Sequence, residues 1–138
     1  MPAKDIFHEA VKQALEKEGW IITHDPYTLK IEDEYLYVDL GAERMIAAQR
    51  GAEKIAVEVK SFVKKSLLSA FHELVGQFIN YQTALQSQEQ EKTLFVAVPE
   101  DAYKSLFQKS FVQHVVRNNH IKLIIFEPDE KIILQWNE

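Results

Sequence analysis

One short segment sets the terms for this chain. From Lys54 to Phe62 the residues alternate with period two, as on a strand, so that Ile55, Val57 and Val59 face one way and Ala56, Glu58 and Lys60 the other. Glu58 and Lys60 therefore emerge on the same face, with side chains rooted roughly 7 Å apart. An acid and an amine on a strand whose opposite face is buried are costly unless they have a partner or a task. Any fold for this chain must hold that strand centrally and give those two groups an environment.

The neighbouring segments supply one. A helix is expected over Ser66 to Gln86, with Leu67, Phe71, Leu74, Val75, Phe78 and Leu85 along one stripe. Thr93 to Val98 is a continuous apolar run before Pro99, suited to a strand buried on both faces. Upstream, Phe7, Ala10, Val11, Ala14 and Leu15 predict a helix from Lys4 to Glu18, stopped by Gly19. Trp20 to Thr23 reads as a strand ended by the turn Asp25-Pro26, and Thr28–Ile31 and Tyr35–Leu40 as two short strands about Glu32-Asp33-Glu34. Arg44 to Gln49 suits helix or strand by composition, and the turn at 50–53 favours a hairpin. Asp101 to Asn118 is helical with a break near Ser110, and Ile121–Phe126 with Lys131–Trp136 make a terminal hairpin whose apolar strands suit core or a partner edge. The expected order is α-β-β-β-β-α-β-α-β-β, an α/β (mixed α+β) domain over residues 1–138 with a central mixed sheet and helices on both faces.

Composition narrows the function. With 46% hydrophobic residues the chain can build one sizeable core, and 138 residues are too few for two. No apolar run approaches the roughly 18 residues that cross a bilayer, and the start carries no signal-like hydrophobic region, so no membrane contact and a cytoplasmic location are expected. The absence of cysteine removes disulfides and thiolate metal sites. The five histidines show no i, i+4 pair, which argues against a helical zinc site, and there is no Gly-x-Ser-x-Gly elbow, Walker A loop or Gly-x-Gly-x-x-Gly turn. Sixteen basic residues against twenty-one acidic ones give a net charge of −5. A protein that grips nucleic acid through phosphates alone usually carries the opposite balance. Contact with DNA would then require a local basic patch, a divalent cation or a partner that brings charge.

Asp39 closes the segment Leu36-Tyr37-Val38-Asp39, expected to lie near the Glu58 strand. Two carboxylates from adjacent strands make an oxygen-rich site for Mg²⁺ or Mn²⁺, beside an ammonium able to orient a water. Asp39 followed by Glu58-Val59-Lys60 resembles the D…(D/E)-x-K signature of the restriction-endonuclease-like, or PD-(D/E)XK, nuclease superfamily. In its RecB-like branch the following helix carries Q-x-x-x-Y, matched here by Gln77 and Tyr81, which the four-residue spacing places on one helix flank, beside the apolar stripe rather than within it. Eighteen residues separate Asp39 from Glu58, so 40–43 must bend or bulge, and Glu43 competes with Asp39 for the acidic role. The resemblance implies that Asp39 and Glu58 hold the cation, with the Val59 carbonyl as a third ligand. It further implies that Lys60 positions the attacking water, and that Gln77 and Tyr81 support the site or touch DNA. Some members add a glutamate from the first helix. Glu9 holds that position, though it lies opposite the apolar stripe and reads as exposed, while His8 reads as a capping or core-edge residue.

A second resemblance runs over nearly the whole chain. The opening Met1-Pro2-Ala3-Lys4-Asp5, the block from Gly19 to Pro26, the block from Tyr37 to Arg44 and the block from Ile55 to Phe62 are similar to the XisH family, the fdxN element excision controlling factors found mainly in cyanobacteria. That likeness implies a role in DNA excision during heterocyst development, with DNA, an XisI-like small protein and a site-specific recombinase as partners and a homo-oligomer as a further option. A non-catalytic regulatory subunit on the same fold is the alternative, favoured by the acidic balance; an intact D…E-x-K set argues for a Mg²⁺-dependent nuclease. Lys64 and Lys65 would place charge at the mouth of the site or cover the start of the helix. Lys104, Lys109, His114, Arg117, His120 and Lys122 make the C-terminal half locally basic, read first as a solvated helix face.

Overall fold

The strand that dominates the sequence also organises the structure. In the computed structural model, which describes residues 6–31, 34–36, 45–62, 66–88 and 91–138, Glu53–Val59 (β5) lies third in a six-stranded sheet of order β1-β4-β5-β6-β7-β8. Its neighbours are β4 (Met45–Arg50), antiparallel through the turn at Gly51, and β6 (Lys92–Pro99), parallel. β7 (Leu123–Glu127) continues the parallel set, and the terminal hairpin adds β8 (Ile132–Asn137) antiparallel at one edge. β1 (Ile21–Tyr27) forms the other edge against β4, and β2 (Leu29–Ile31) pairs with β3 (Glu34–Leu36) as a separate hairpin among the described residues.

The helices follow from connectivity. β5 to β6 and β6 to β7 step in the same direction across the sheet, so crossovers of one hand must lie on one face. That face carries α2 (Leu67–Gln88), α3 (Glu100–Ser105), a 3₁₀ turn (Leu106–Gln108) and α4 (Ser110–Asn118). Phe71, Leu74, Phe78, Leu85, Phe107 and Val112 from these helices bury against Ala56, Leu94, Val96, Val98, Leu123 and Ile125 of the sheet. α1 (His8–Lys17) covers the opposite face, packing Val11 and Leu15 on Ile46, Ile55, Val57, Val59, Phe95 and Ile124. Helices flank both faces, as the restriction-endonuclease-like expectation requires.

Local chemistry accounts for the helix ends. Ser66 caps α2, its Oγ accepting the Ser69 N–H at 3.1 Å. Gly19, at φ +89, ends α1, and the Trp20 N–H reaches back to the Leu15 carbonyl at 3.1 Å.

The hairpin favoured by the turn at 50–53 forms, and the break expected near Ser110 falls at Lys109, whose extended backbone (φ −70, ψ 135) separates the 3₁₀ turn from α4. Two expectations are corrected. With Met45–Arg50 a strand, five strands rather than four separate α1 from α2 among the described residues. β1 does not stop at Asp25-Pro26 but runs through a cis bond there to Tyr27, with two irregularities in its pairing. An edge strand tolerates a proline because one side of its ladder needs no N–H donor. Among the described residues, no helix is long and apolar enough to cross a membrane.

Candidate functional site

The alternation read from the sequence holds in three dimensions. Val57 and Val59 are fully buried toward α1, whereas Ala56, Glu58 and Lys60 point toward α2. Glu58 stands between Met45 of β4 and Val96 of β6. Lys60 lies just past the strand end, its N–H still donating to the Ala97 carbonyl at 2.9 Å. Glu58 is 0% and Lys60 4% exposed, in a sheet whose other buried side chains, His8 on α1 aside, are hydrophobic among the described residues.

The Lys60 ammonium sits 3.8 Å from Oε2 of Glu58 and 3.9 Å from Oε1 of Glu73 on α2. Both separations are ion-pair distances longer than a hydrogen bond. At 3.8 Å a charge pair is worth about 4 kcal/mol at an effective dielectric near 20, of the same order as the several kcal/mol lost per buried ion. The group is thus close to break-even and is not a source of stability.

Glu73 is the residue that sequence reasoning missed. It precedes Gln77 by one helical turn and Tyr81 by two, so the three share a flank of α2, and this spacing was the available signal. Gln77 is half-buried, and its Oε1 is enclosed without a hydrogen-bond partner among the described residues. Tyr81 departs from the expectation. It is 6% exposed and belongs to the core with Phe78, Ala84 and Leu85, within the apolar face of α2 rather than beside it.

Asp39, Glu43, Lys64 and Lys65 lie outside the described residues. Glu9 is exposed and stands on α1, across the sheet from the face that carries Glu58. Close by, His8 is fully buried and bonds through Nε2 to Oδ1 of Asp25 at 2.8 Å, while Lys12 holds Oδ2 of Asp25 at 2.8 Å and lies 3.7 Å from Glu9. His8, Glu9 and Asp25 bring ligand atoms within 4.8 Å of one another, but the Lys12 ammonium already supplies their cation. Desolvation raises the Asp25 carboxyl, yet hydrogen bonds and attraction from Lys12 and His8 outweigh it and leave the group below its ordinary value. The hydrogen bond to Asp25, more than its partial desolvation, moves Lys12 above the ordinary lysine value. Here the i, i+4 spacing of His8 and Lys12 was the legible signal for a shared partner.

The donor chemistry of Glu58 suits a hard divalent cation, which takes carboxylate and carbonyl oxygens. A buried carboxylate with an ammonium beside it on the sheet supplies one ligand and one positive group for a phosphate.

The model of the XisH family, described as XisH protein, matches residues 1–134. Among solved structures, an XisH family protein from Nostoc punctiforme is 44% identical, with a TM-score of 0.89, 97% of this chain and 100% of that chain being covered. A fdxN element excision controlling factor protein from Anabaena variabilis is 43% identical with a TM-score of 0.88, covering 96% of this chain and 98% of its own. No curated protein matches the chain.

Proposed function

The chain belongs to the XisH family, and from that premise we propose that it acts in the controlled excision of a DNA element through a metal-assisted phosphodiester site built on Glu58 and Lys60. The observation that carries the reading is the burial of these opposite charges, 3.8 Å apart, at the carboxyl end of β5 in the middle of the sheet. The name of the Anabaena relative supports the setting. DNA, an XisI-like small protein and a site-specific recombinase are the proposed partners.

In this reading Asp39 and Glu58 would hold Mg²⁺ or Mn²⁺, with the Val59 carbonyl as a further ligand, and the chemistry supplied there would be neutralisation of phosphate charge and a more acidic water. Glu58 and Glu73 flank the Lys60 ammonium and fix it on the α2 face, where it orients the attacking water and opposes charge that develops on the phosphate. Gln77 presents an amide on the same helix flank. Tyr81, buried in the core, holds α2 in place and does not touch DNA.

A second reading is favoured by a specific observation: Lys60 is already flanked by two carboxylates, and the chain carries a net charge of −5. This reading is a non-catalytic regulatory subunit that works by protein contact. Calorimetric titration of Mn²⁺, paired with nicking of supercoiled plasmid, tests both. The nuclease reading expects Mn²⁺ binding that Glu58→Gln weakens at least about tenfold, a loss of about 1.4 kcal/mol. It also expects nicking that Lys60→Ala abolishes while metal binding persists. Binding without nicking selects the regulatory subunit, and absence of Mn²⁺ binding by the wild type overturns the metal site.

A further inference from the structure

A cavity of about 520 Å³ opens on the α2 face, toward the end of the sheet away from Glu58. The β5–β6 register sets Glu58 against Val96 and Lys54 against Lys92. The lining residues Lys92 and Thr93 are therefore roughly 10–13 Å along the strand from the level of Glu58, at 3.3 Å per residue. Phe78 and Leu85 give the cavity an apolar wall. Gln82 and Gln86 reach it from the second half of α2, Lys92 from the start of β6, and Asn119, His120 and Lys122 from the turn between α4 and β7.

The chemistry of that lining runs against the chain as a whole. Acidic residues outnumber basic ones in the sequence, yet the described lining contains two ammonium groups, an imidazole, three carboxamides and the Thr93 hydroxyl, and no carboxylate. Lys92 is steadied by the face of Tyr27, its Nζ 5.1 Å from the ring centroid. The Asn119 amide nitrogen is committed to the Val115 carbonyl at 2.9 Å, so the neutral donors that face a ligand are Gln82, Gln86 and Thr93.

His120 adds an independent observation. It closes α4 at φ +53, with its N–H on the Arg117 carbonyl at 3.2 Å and the next N–H on Val116 at 3.0 Å. Glycine is the usual occupant of that left-handed position, because a Cβ is strained there. A bulky ring kept at such a position, on the wall of a cation-lined cavity, points to use of the side chain.

We propose that this cavity binds a phosphate-bearing ligand of nucleotide size, with Lys92, Lys122 and His120 opposing the phosphate charge and Gln82, Gln86 and Thr93 donating to its oxygens. The volume lies in the range of small-molecule sites, about 300–1,000 Å³, and exceeds what a bare phosphate fills. Lysine engages phosphate as a point charge, which suits a pocket without arginine. The site is separate from Glu58 and Lys60 and stands whether or not those residues cleave DNA.

The test is a nuclear magnetic resonance titration of the full chain at low salt with three probes: inorganic phosphate, deoxyadenosine 5′-monophosphate and a 12-base-pair duplex. The side-chain amide signals of Gln82 and Gln86 and the ring of His120 are expected to shift. Tighter binding of the mononucleotide identifies a free nucleotide as the source of the phosphate, and tighter binding of the duplex identifies nucleic acid. The double variant Lys92→Gln/Lys122→Gln should weaken whichever binds by about tenfold or more, since charge-assisted contacts are at stake. His120→Gly removes the ring and relieves the backbone, so it should weaken binding while the melting temperature stays level or rises. This separates a binding role from a structural one. Absence of shifts with all three probes, shifts confined to residues around Lys60, or displacement of the probe by a glutamate-rich peptide at equal concentration overturns the proposal.

Discussion

Replacing both Glu58 and Lys60 by methionine tests whether the pair exists for folding or for chemistry. The Lys60–Glu58 attraction at 3.8 Å amounts to about 4 kcal/mol at an effective dielectric near 20. The contact to Glu73 counts for less, about 1 kcal/mol or under, because that carboxylate is 31% exposed and screened. Against these stand several kcal/mol of desolvation for each ion. Lys60→Met alone removes the ammonium and leaves the Glu58 carboxylate fully enclosed, so a loss of about 3–5 kcal/mol is expected. Glu58→Met/Lys60→Met removes both desolvation penalties and fills the volume with apolar atoms, which should return stability to within about 1 kcal/mol of wild type or above it. The coupling between the two changes is then on the order of 3 kcal/mol, read from urea unfolding followed by the fluorescence of Trp20 and Trp136. A double variant as unstable as the sum of the two singles would refute the reasoning and make the pair a structural element of the sheet.

Two further outcomes follow from the packing. Asp25→Asn should cost about 1–3 kcal/mol at pH 7, since it weakens the contacts to buried His8 and to Lys12. Because the Asp25 carboxyl is held below its ordinary value, its contribution is present above about pH 4 and lost as pH falls through the lowered value. The difference between wild type and variant, read by urea unfolding, should therefore shrink as the pH is lowered below the ordinary carboxylate range, and a difference that stays unchanged there counts against the linkage. Phe107→Ala should cost about 3–5 kcal/mol in the same assay, as it deletes a ring 3% exposed that meets Phe62, Phe71 and Tyr103 at 5.9, 5.8 and 6.2 Å. A loss below 1 kcal/mol would mean that this corner of the core repacks freely.

What was legible in the sequence depended on how far each signal reaches along the chain. The facing of Glu58 and Lys60 away from Val57 and Val59 is a property of one strand, and period two carried it intact. The extent of α2 was likewise local, written in its stripe and in Ser66 at its start. β1 was cut short at Asp25-Pro26 because turn chemistry reads alike in a loop and on a sheet edge, and only the sheet decides which it is. Tyr81 was placed beside the core because a helical wheel knows the period but not how wide a face the sheet covers. Five strands of parallel and antiparallel sheet lie under α2 and its neighbours, broad enough to bury Tyr81 as well as Phe78. The spacing to Gln77 marks the flank of α2 that Glu73 shares, but its importance comes from Lys60 on another element, and a spacing within one helix does not report that meeting.

The distribution of cations decides where this acidic chain can meet an anion. Lys12 is held by Asp25, Lys104 by Glu100 at 3.3 Å, and Arg50 lies 4.6 Å over the Trp20 ring while bonding the Glu18 carbonyl, so these charges are largely answered within the fold. Lys60 is answered by two carboxylates, and an approaching phosphate gains from it only when a cation or a partner offsets those acids. Its place at the carboxyl end of β5, beside parallel β6, is where α/β sheets commonly receive ligands. The amino ends of β6 and β7 carry no such expectation, so the cavity there rests on the chemistry of its lining: the Lys92 and Lys122 ammonium groups, the His120 imidazole and the donors of Gln82, Gln86 and Thr93. An acidic protein with a carboxylate-flanked lysine at one end of its sheet and a cation-lined cavity at the other should bind simple phosphates at the second place without metal. At the first it should engage phosphate only when metal is supplied, and the salt and metal dependence of binding at the two ends should differ accordingly.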